Sequence, residues 1–160
     1  MKLRFNSKFI QGESKEPQEV FFDVETKYFV NEFTENNKTI KYDTYQFIDP
    51  VSKKITNIEV SPEAVNLFSG EVSLNLRKNK KQNNWVQVDK NNKFEMVSIL
   101  RSVETKKRDG MKVHNIKYQL FSLTGSDMGK FHLTLSELSD DEETKEMQIN
   151  INGISTNTEK

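Results

Sequence analysis

The sequence predicts a mostly β chain, an antiparallel barrel or sandwich with one short helix, and an OB-like barrel is one form of that pattern. Three observations carry the expectation. Apolar and polar residues alternate with period two along most of the chain, turn-forming residues recur about every 8 to 12 positions, and the apolar content leans on eleven Phe, four Tyr and one Trp rather than on long aliphatic runs. A chain of 160 residues suits one compact domain and buries a core without staples. The division expected is a β-rich domain over residues 1–138 and an acidic C-terminal extension over 139–160 that ends in an edge strand.

The first strand is read from Leu3 and Phe5 alternating with Lys2, Arg4 and Asn6, the next from Val20 and Phe22 beside Asp23. From Thr39 to Phe47 the parity changes: Ile40 and Tyr42 share one face, Tyr45 and Phe47 the other, which predicts a bulge near Asp43 or Thr44. Thr56, Ile58 and Val60 resume the alternation after the Asp49-Pro50 turn. Ser61-Pro62-Glu63 has a capping hydroxyl, a proline at the first helical position and an acid in the first turn, and Gly70 is placed to end a short helix bearing Ala64, Val65, Leu67 and Phe68. Val72 to Leu76, Trp85 to Val88 and Phe94 to Leu100 read as strands, joined by a solvated loop over Lys78 to Asn84 and a turn at Lys90 to Lys93. Asp109-Gly110 predicts a tight hairpin into His114 to Leu123. Phe131, Leu133 and Leu135 form a further strand, Met147, Ile149 and Ile151 an edge strand, and Ser155 to Lys160 a frayed end. Edge strands such as this last one invite pairing with a second chain.

Composition excludes several classes. The chain has no cysteine, so no disulfide, thiolate ligand or cysteine nucleophile exists in it. No apolar run approaches the roughly 20 residues of a membrane span, and Met1 to Ile10 lacks the apolar stretch of a signal peptide, so a cytoplasmic chain with no membrane partner is expected. The two histidines, His114 and His132, have no metal-ligand spacing and read as surface histidines on strands. Gly125 and Gly129 lack the strand-to-helix setting of a phosphate loop, and Asp140 to Glu143 lacks the alternating ligands of a calcium loop. No nucleophile elbow is present. A non-enzymatic protein without cofactor or metal is expected.

Net charge is zero, yet the charges are segregated. Residues 1–52 carry seven Lys/Arg and nine Asp/Glu, residues 53–117 fourteen and seven, residues 118–160 three and eight. In the basic middle, Arg77, Lys78, Lys80 and Lys81 precede Trp85, Lys90 and Lys93 precede Phe94, and Arg101, Lys106, Lys107, Arg108 and Lys112 surround the following hairpin. If the three hairpin tips lie side by side they make one positive surface for phosphates, with Trp85, Tyr42 and Tyr45 as stacking platforms. That arrangement suits single-stranded nucleic acid.

Met1-Lys2-Leu3-Arg4-Phe5, the segment Thr44-Tyr45-Gln46-Phe47 with Ile58-Glu59-Val60-Ser61, and Leu67-Phe68 through Val72-Ser73-Leu74-Asn75-Leu76 resemble small auxiliary proteins of Gram-positive conjugative elements, a group that includes a helicase-processivity factor. The resemblance spans residues 1 to about 100. It implies an OB-like fold and an accessory role in replication of a mobile element, clamping unwound DNA. The chain departs from that pattern over Arg101 to Lys160. The alternative is a protein-binding inhibitor, such as an anti-CRISPR or other anti-defence protein, in which Asp140, Asp141, Glu142 and Glu143 occupy the basic channel of a nucleic-acid-processing protein.

Overall fold

The computed structural model describes residues 1–11, 16–70, 72–87, 90–151 and 154–158. These form thirteen strands in one antiparallel sheet: β1 (Lys2–Ile10), β2 (Gln18–Glu25), β3 (Lys27–Glu35), β4 (Lys38–Ile48), β5 (Ile55–Val60), β6 (Ala64–Ser69), β7 (Val72–Arg77), β8 (Gln82–Gln87), β9 (Lys93–Arg108), β10 (Met111–Phe121), β11 (Asp127–Leu138), β12 (Met147–Ile151) and β13 (Ile154–Thr158). The order across the sheet is β13-β12-β2-β1-β11-β10-β9-β8-β7-β6-β5-β4-β3. Strands β3 to β11 therefore form a meander, and β1 then pairs with β11 and β2 with β1. Among the described residues hydrogen bonding does not close the sheet, since β13 and β3 are its two edges.

The chain crosses from β2 to β3, at the far edge, through Thr26 alone. Thr26 holds that corner: its N–H donates to the Met1 carbonyl at 2.8 Å and its hydroxyl to the Gln46 carbonyl at 3.1 Å. The sheet consequently curls until its inner faces meet. Leu3, Phe22, Tyr45, Phe47, Ile58, Leu76, Leu100, Ile116, Leu133 and Leu135 share one buried cluster. Phe5 stacks on Phe22 at 4.6 Å, and both rings present edges to Phe47 on β4, at 6.4 and 5.9 Å. Each fully buried leucine stabilises the fold by about 1.5–3 kcal/mol.

A polar network fastens β4 to β10 and β11 across the interior. The Tyr45 hydroxyl donates to Glu137 Oε2 at 2.6 Å and lies 2.9 Å from His114 Nε2. His114 Nδ1 lies 2.8 Å from the Thr105 hydroxyl. Lys112 donates its backbone N–H to Glu137 Oε1 at 3.0 Å and its Nζ to Asp43 Oδ1 at 2.9 Å, and Tyr28 donates to the same Asp43 oxygen at 2.6 Å. No buried side-chain nitrogen or oxygen among the described residues is left without a partner.

Several expectations are corrected. Residues 64–69 are strand β6, not a helix. Ser61-Pro62-Glu63 turns the chain instead: Ser61 N–H donates to the Ala64 carbonyl at 2.9 Å, and Ala64 N–H donates to Ser61 Oγ at 3.1 Å. Ser at the first and Pro at the second position suit a type I turn as well as a helix start, and the ladders from Val60↔Val65 to Thr56↔Ser69 and from Ala64↔Arg77 to Ser69↔Val72 decide between them. Gly70, at φ +59°, serves the turn into β7. β4 has no bulge, because its ladders to β3 and β5 run without a register shift. Both of its faces are covered instead, Tyr45 and Phe47 by the core and Tyr42 by an edge contact from Phe33 at 5.8 Å. Tyr42 and Tyr45 are thus buried at 2% and 0% exposure and offer no stacking platform, and His114, at 1%, is no surface histidine. Of the stretch Ser155 to Lys160, expected to fray, residues 155–158 belong to β13 and pair with β12; Val88 and residues 159–160 lie outside the described residues. Asp109 and Gly110, at φ +51° and +80°, make the expected tight hairpin. Among the described residues no helix is long and apolar enough to cross a membrane.

Burial pushes the His114 imidazole below its ordinary value of 6.5, against the attraction of Asp43 and Glu137. As pH falls, the unfolded chain therefore takes up this proton first, so the contribution is complete above 6.5 and is lost progressively below it. The melting temperature should fall on acidification below that point, and a His114→Gln variant should show a flatter dependence in thermal melts followed by circular dichroism. Tyr45→Phe, which strips His114 and Glu137 of a partner, should cost about 1–3 kcal/mol in urea unfolding.

Candidate nucleic-acid interface

The three basic hairpins do not converge. Successive hairpins reverse direction, so the turns before and after β8 lie at opposite ends of that strand. Lys78, Lys80 and Lys81 stand exposed at the β7–β8 turn, level with Leu100 through the Lys78↔Leu100 bridge. Lys106, Lys107 and Arg108 are exposed at the far end of β9, and from Leu100 to Arg108 the strand runs about 26 Å. Lys90 and Lys93 are exposed at the other end of β9. Arg77 is engaged within the fold, donating to Asn66 Oδ1 at 2.9 Å with Glu35 at 3.5 Å, and Lys112 is held by Asp43. The expected single positive surface is absent for this reason.

A different basic surface forms where β1, β11, β10 and β9 lie side by side. Lys8 on β1 is opposite His132 on β11, which is opposite Lys117 on β10. One row further along, Ile10 is opposite Lys130, which is opposite Gln119. Arg101 is the extra residue of a bulge, because Ser102 pairs with Lys117 and Leu100 with Tyr118. The bulge leaves Arg101 exposed, and its guanidinium donates to Gln119 Oε1 at 3.1 Å. These residues line a cleft of about 600 Å³ together with Pro17, Phe9, Tyr118 and Phe131, and none of its lining residues is acidic. Glu19 lies 3.7 Å from Lys8 Nζ, and its Oε2 also accepts from Asn6 Nδ2 at 3.4 Å.

His132 reports the field of this cleft. Partial burial lowers its pKa below 6.5, and Lys117 and Lys8 lower it further by repulsion. Asn115 Oδ1, at 3.1 Å from His132 Nε2 and accepting from Thr134 at 3.1 Å, fixes the ring. Lys8 and Lys117 thus flank one neutral imidazole, and the row gathers positive charge in a chain of zero net charge. An anionic ligand would balance it.

Of the residues read from the sequence, the cleft contains Arg101 alone. Trp85 lies outside it, 53% exposed on β8 and opposite Glu95. From Glu95 to Arg101, β9 runs about 20 Å along the same outer face. Lys8, Lys117 and Lys130 escaped sequence reading, and His132 was read only as a surface strand histidine, because they lie far apart in the chain and only the pairing register aligns them. Their shared signal is that each is a cationic or titratable residue inside a strand rather than in a turn.

The acidic segment is placed against β1 and β2 by its backbone. The carbonyls of Glu142 and Glu143 accept from Lys2 at 3.3 Å and Arg4 at 3.4 Å, and Lys145 N–H donates to Asp23 Oδ2 at 2.8 Å. Asp140, Asp141, Glu142 and Glu143 are all exposed. Among the described residues no group of three His, Asp or Glu is arranged to hold a metal ion.

No protein-family model matches the sequence, and no curated protein matches it. Among solved structures the chain is similar to the YwiB protein from Bacillus subtilis, with a TM-score of 0.58 and 14% identity over 86% of this chain and 92% of that one. At that identity the likeness shows a shared fold.

Lys117→Gln should raise the His132 pKa toward 6.5, because it removes one of the two lysines that repel the imidazolium. A nuclear magnetic resonance titration of the imidazole ring protons measures the shift, and an unchanged value would show that Lys117 does not act on the ring.

Proposed function

We propose that this chain is a non-enzymatic, cytoplasmic accessory protein of a mobile genetic element, and that it binds single-stranded nucleic acid across the outer face of a barrel-like sheet. The observation that carries the reading is the acid-free cleft in which Lys8, Lys117, Lys130 and Arg101 surround His132. Phosphate oxygens supply the charge this row lacks, and released counterions add to the binding free energy. Exposed Trp85 offers a ring on which a base stacks at about 1–3 kcal/mol. The exposed Lys78, Lys80 and Lys81 border the track between them. The resemblance to auxiliary proteins of conjugative elements agrees with this class of ligand.

Fluorescence anisotropy of a labelled single-stranded oligonucleotide, with duplex as the control, tests the reading. Saturable binding should prefer single strands and weaken with salt. A combined Lys8→Ala, Lys117→Ala and Lys130→Ala variant should bind at least about tenfold more weakly, and its log–log salt slope should be shallower by about 2, at roughly 0.7 per lost phosphate contact. Trp85→Ala should cost about 5- to 100-fold in affinity. Wild-type binding by the triple variant would remove the cleft from the interface, and absence of binding at low salt would overturn the proposal. The second reading, inhibition of a nucleic-acid-processing protein, is favoured by the held backbone of Glu142 and Glu143 and the exposed carboxylates of Asp140, Asp141, Glu142 and Glu143. Neutralising these four abolishes partner binding under that reading and leaves oligonucleotide binding intact under the first.

A further inference from the structure

β3 ends the sheet. It pairs with β4 alone, and its outer edge faces no strand among the described residues. Open edges in stable proteins are commonly short, bulged or interrupted by proline. β3 has none of these features: it is nine residues long, contains no proline, and keeps register with β4 from Lys27↔Gln46 to Glu35↔Lys38. It also leaves Phe29, Val30 and Phe33 at 39%, 52% and 49% exposure.

The strand is complementary to itself. Set antiparallel to a second copy about Asn31, the run Lys27-Tyr28-Phe29-Val30-Asn31-Glu32-Phe33-Thr34-Glu35 puts Lys27 opposite Glu35 of the second copy, Phe29 opposite Phe33, and Asn31 opposite Asn31. Each pairing occurs twice about the axis except the central one. The residues concerned share one face, since Phe33 packs on Tyr42, Asn31 donates to Glu59 at 3.0 Å and Glu35 lies 3.5 Å from Arg77, all on the side away from the core. Opposite charges at both ends and aromatic pairs between them are the combinations that stabilise antiparallel neighbours.

We propose that β3 is a homodimerisation edge, at which two copies pair antiparallel about a twofold axis through Asn31 and join their sheets into one. The two ends of the ladder each gain an Arg77-Glu35-Lys27 array in which the second copy supplies the lysine. A single added strand pair is a small interface, so the dimer is a concentration-dependent one. The inference is independent of what the cleft binds.

Sedimentation velocity over about 10 to 200 µM should show a monomer–dimer equilibrium. K27E, which sets carboxylates against each other at both ends of the ladder, and E35K, which does the same with ammonium groups, should each weaken dimerisation about tenfold or more. An equimolar mixture of the two variants should restore it, because each then carries the charge the other needs. Thermal melts establish that both variants fold. Should E35K not fold, N31C supplies a second test: in a chain without cysteine, oxidation should crosslink N31C into dimers but not V30C, whose symmetry mate lies beyond the roughly 7 Å that a disulfide bridges. A monomer at every concentration, dimerisation indifferent to K27E, or equal crosslinking of V30C and N31C would overturn the proposal.

Discussion

A sheet whose outermost strands never pair has no ladder to hold it curled, and in this protein side chains supply the missing closure. The Tyr45 hydroxyl is the central contact, reaching Glu137 and His114 from the opposite wall. Because β4 lies next to the edge strand and β10 and β11 lie in the middle of the sheet, this one side chain ties parts of the sheet that the hydrogen-bond ladder keeps far apart. The three aromatic rings Phe5, Phe22 and Phe47 repeat the tie from β4 to β1 and β2. Thr26 makes the curl unavoidable, since a single residue cannot carry the chain between strands at opposite sides of the order unless those sides are near one another.

Closure by side chains makes electrostatics part of the fold. The network holds three formal charges, on Asp43, Lys112 and Glu137, around a neutral imidazole. Taking such groups out of water is costly unless they are paired and hydrogen-bonded, and here every buried side-chain nitrogen and oxygen among the described residues has a partner. Burial pushes the Tyr45 phenol up, as do the hydrogen bond to Glu137 and the charges of Glu137 and Asp43, so the hydroxyl stays a donor throughout the working range of pH. A lost partner in this cluster would leave a buried charge unmatched, where the loss of a surface ion pair would cost almost nothing.

The alternation of Leu3 with Phe5, the Thr56 to Val60 strand and the Asp109-Gly110 turn were legible because each depends on local chemistry alone. The helix over Ser61 to Gly70 was misread because Ser-Pro-Glu starts a turn as readily as a helix, and only the neighbours of β6 distinguish them. β3 went unread because alternation is weak in a strand with one free edge: Phe29 and Val30 are adjacent apolar residues, both exposed. Tyr42 and His114 were misplaced for a shared reason. Polar tips suggested surface positions, whereas in this fold those tips are buried with partners supplied from distant strands. The cleft was the least accessible feature, since a one-residue slip in either ladder would have turned Lys8, Lys117 and His132 to the other face.

The charge row on β1, β11 and β10 is cheap to keep and hard to explain by stability. Lys8 and Lys117 each face the neutral His132 ring rather than one another, so the row takes little from the roughly 5–15 kcal/mol typical of a domain. The bulge at Arg101 adds the loss of a regular ladder contact, worth about 1 kcal/mol. The bulge also bends β9, a 16-residue strand, in the sense a curled sheet requires. The row and the bulge act together only on the outside, where the bulge aims a guanidinium over the same cleft that the row makes positive. On the proposed reading, a ligand that brings negative charge would give the row and the bulged guanidinium a common use.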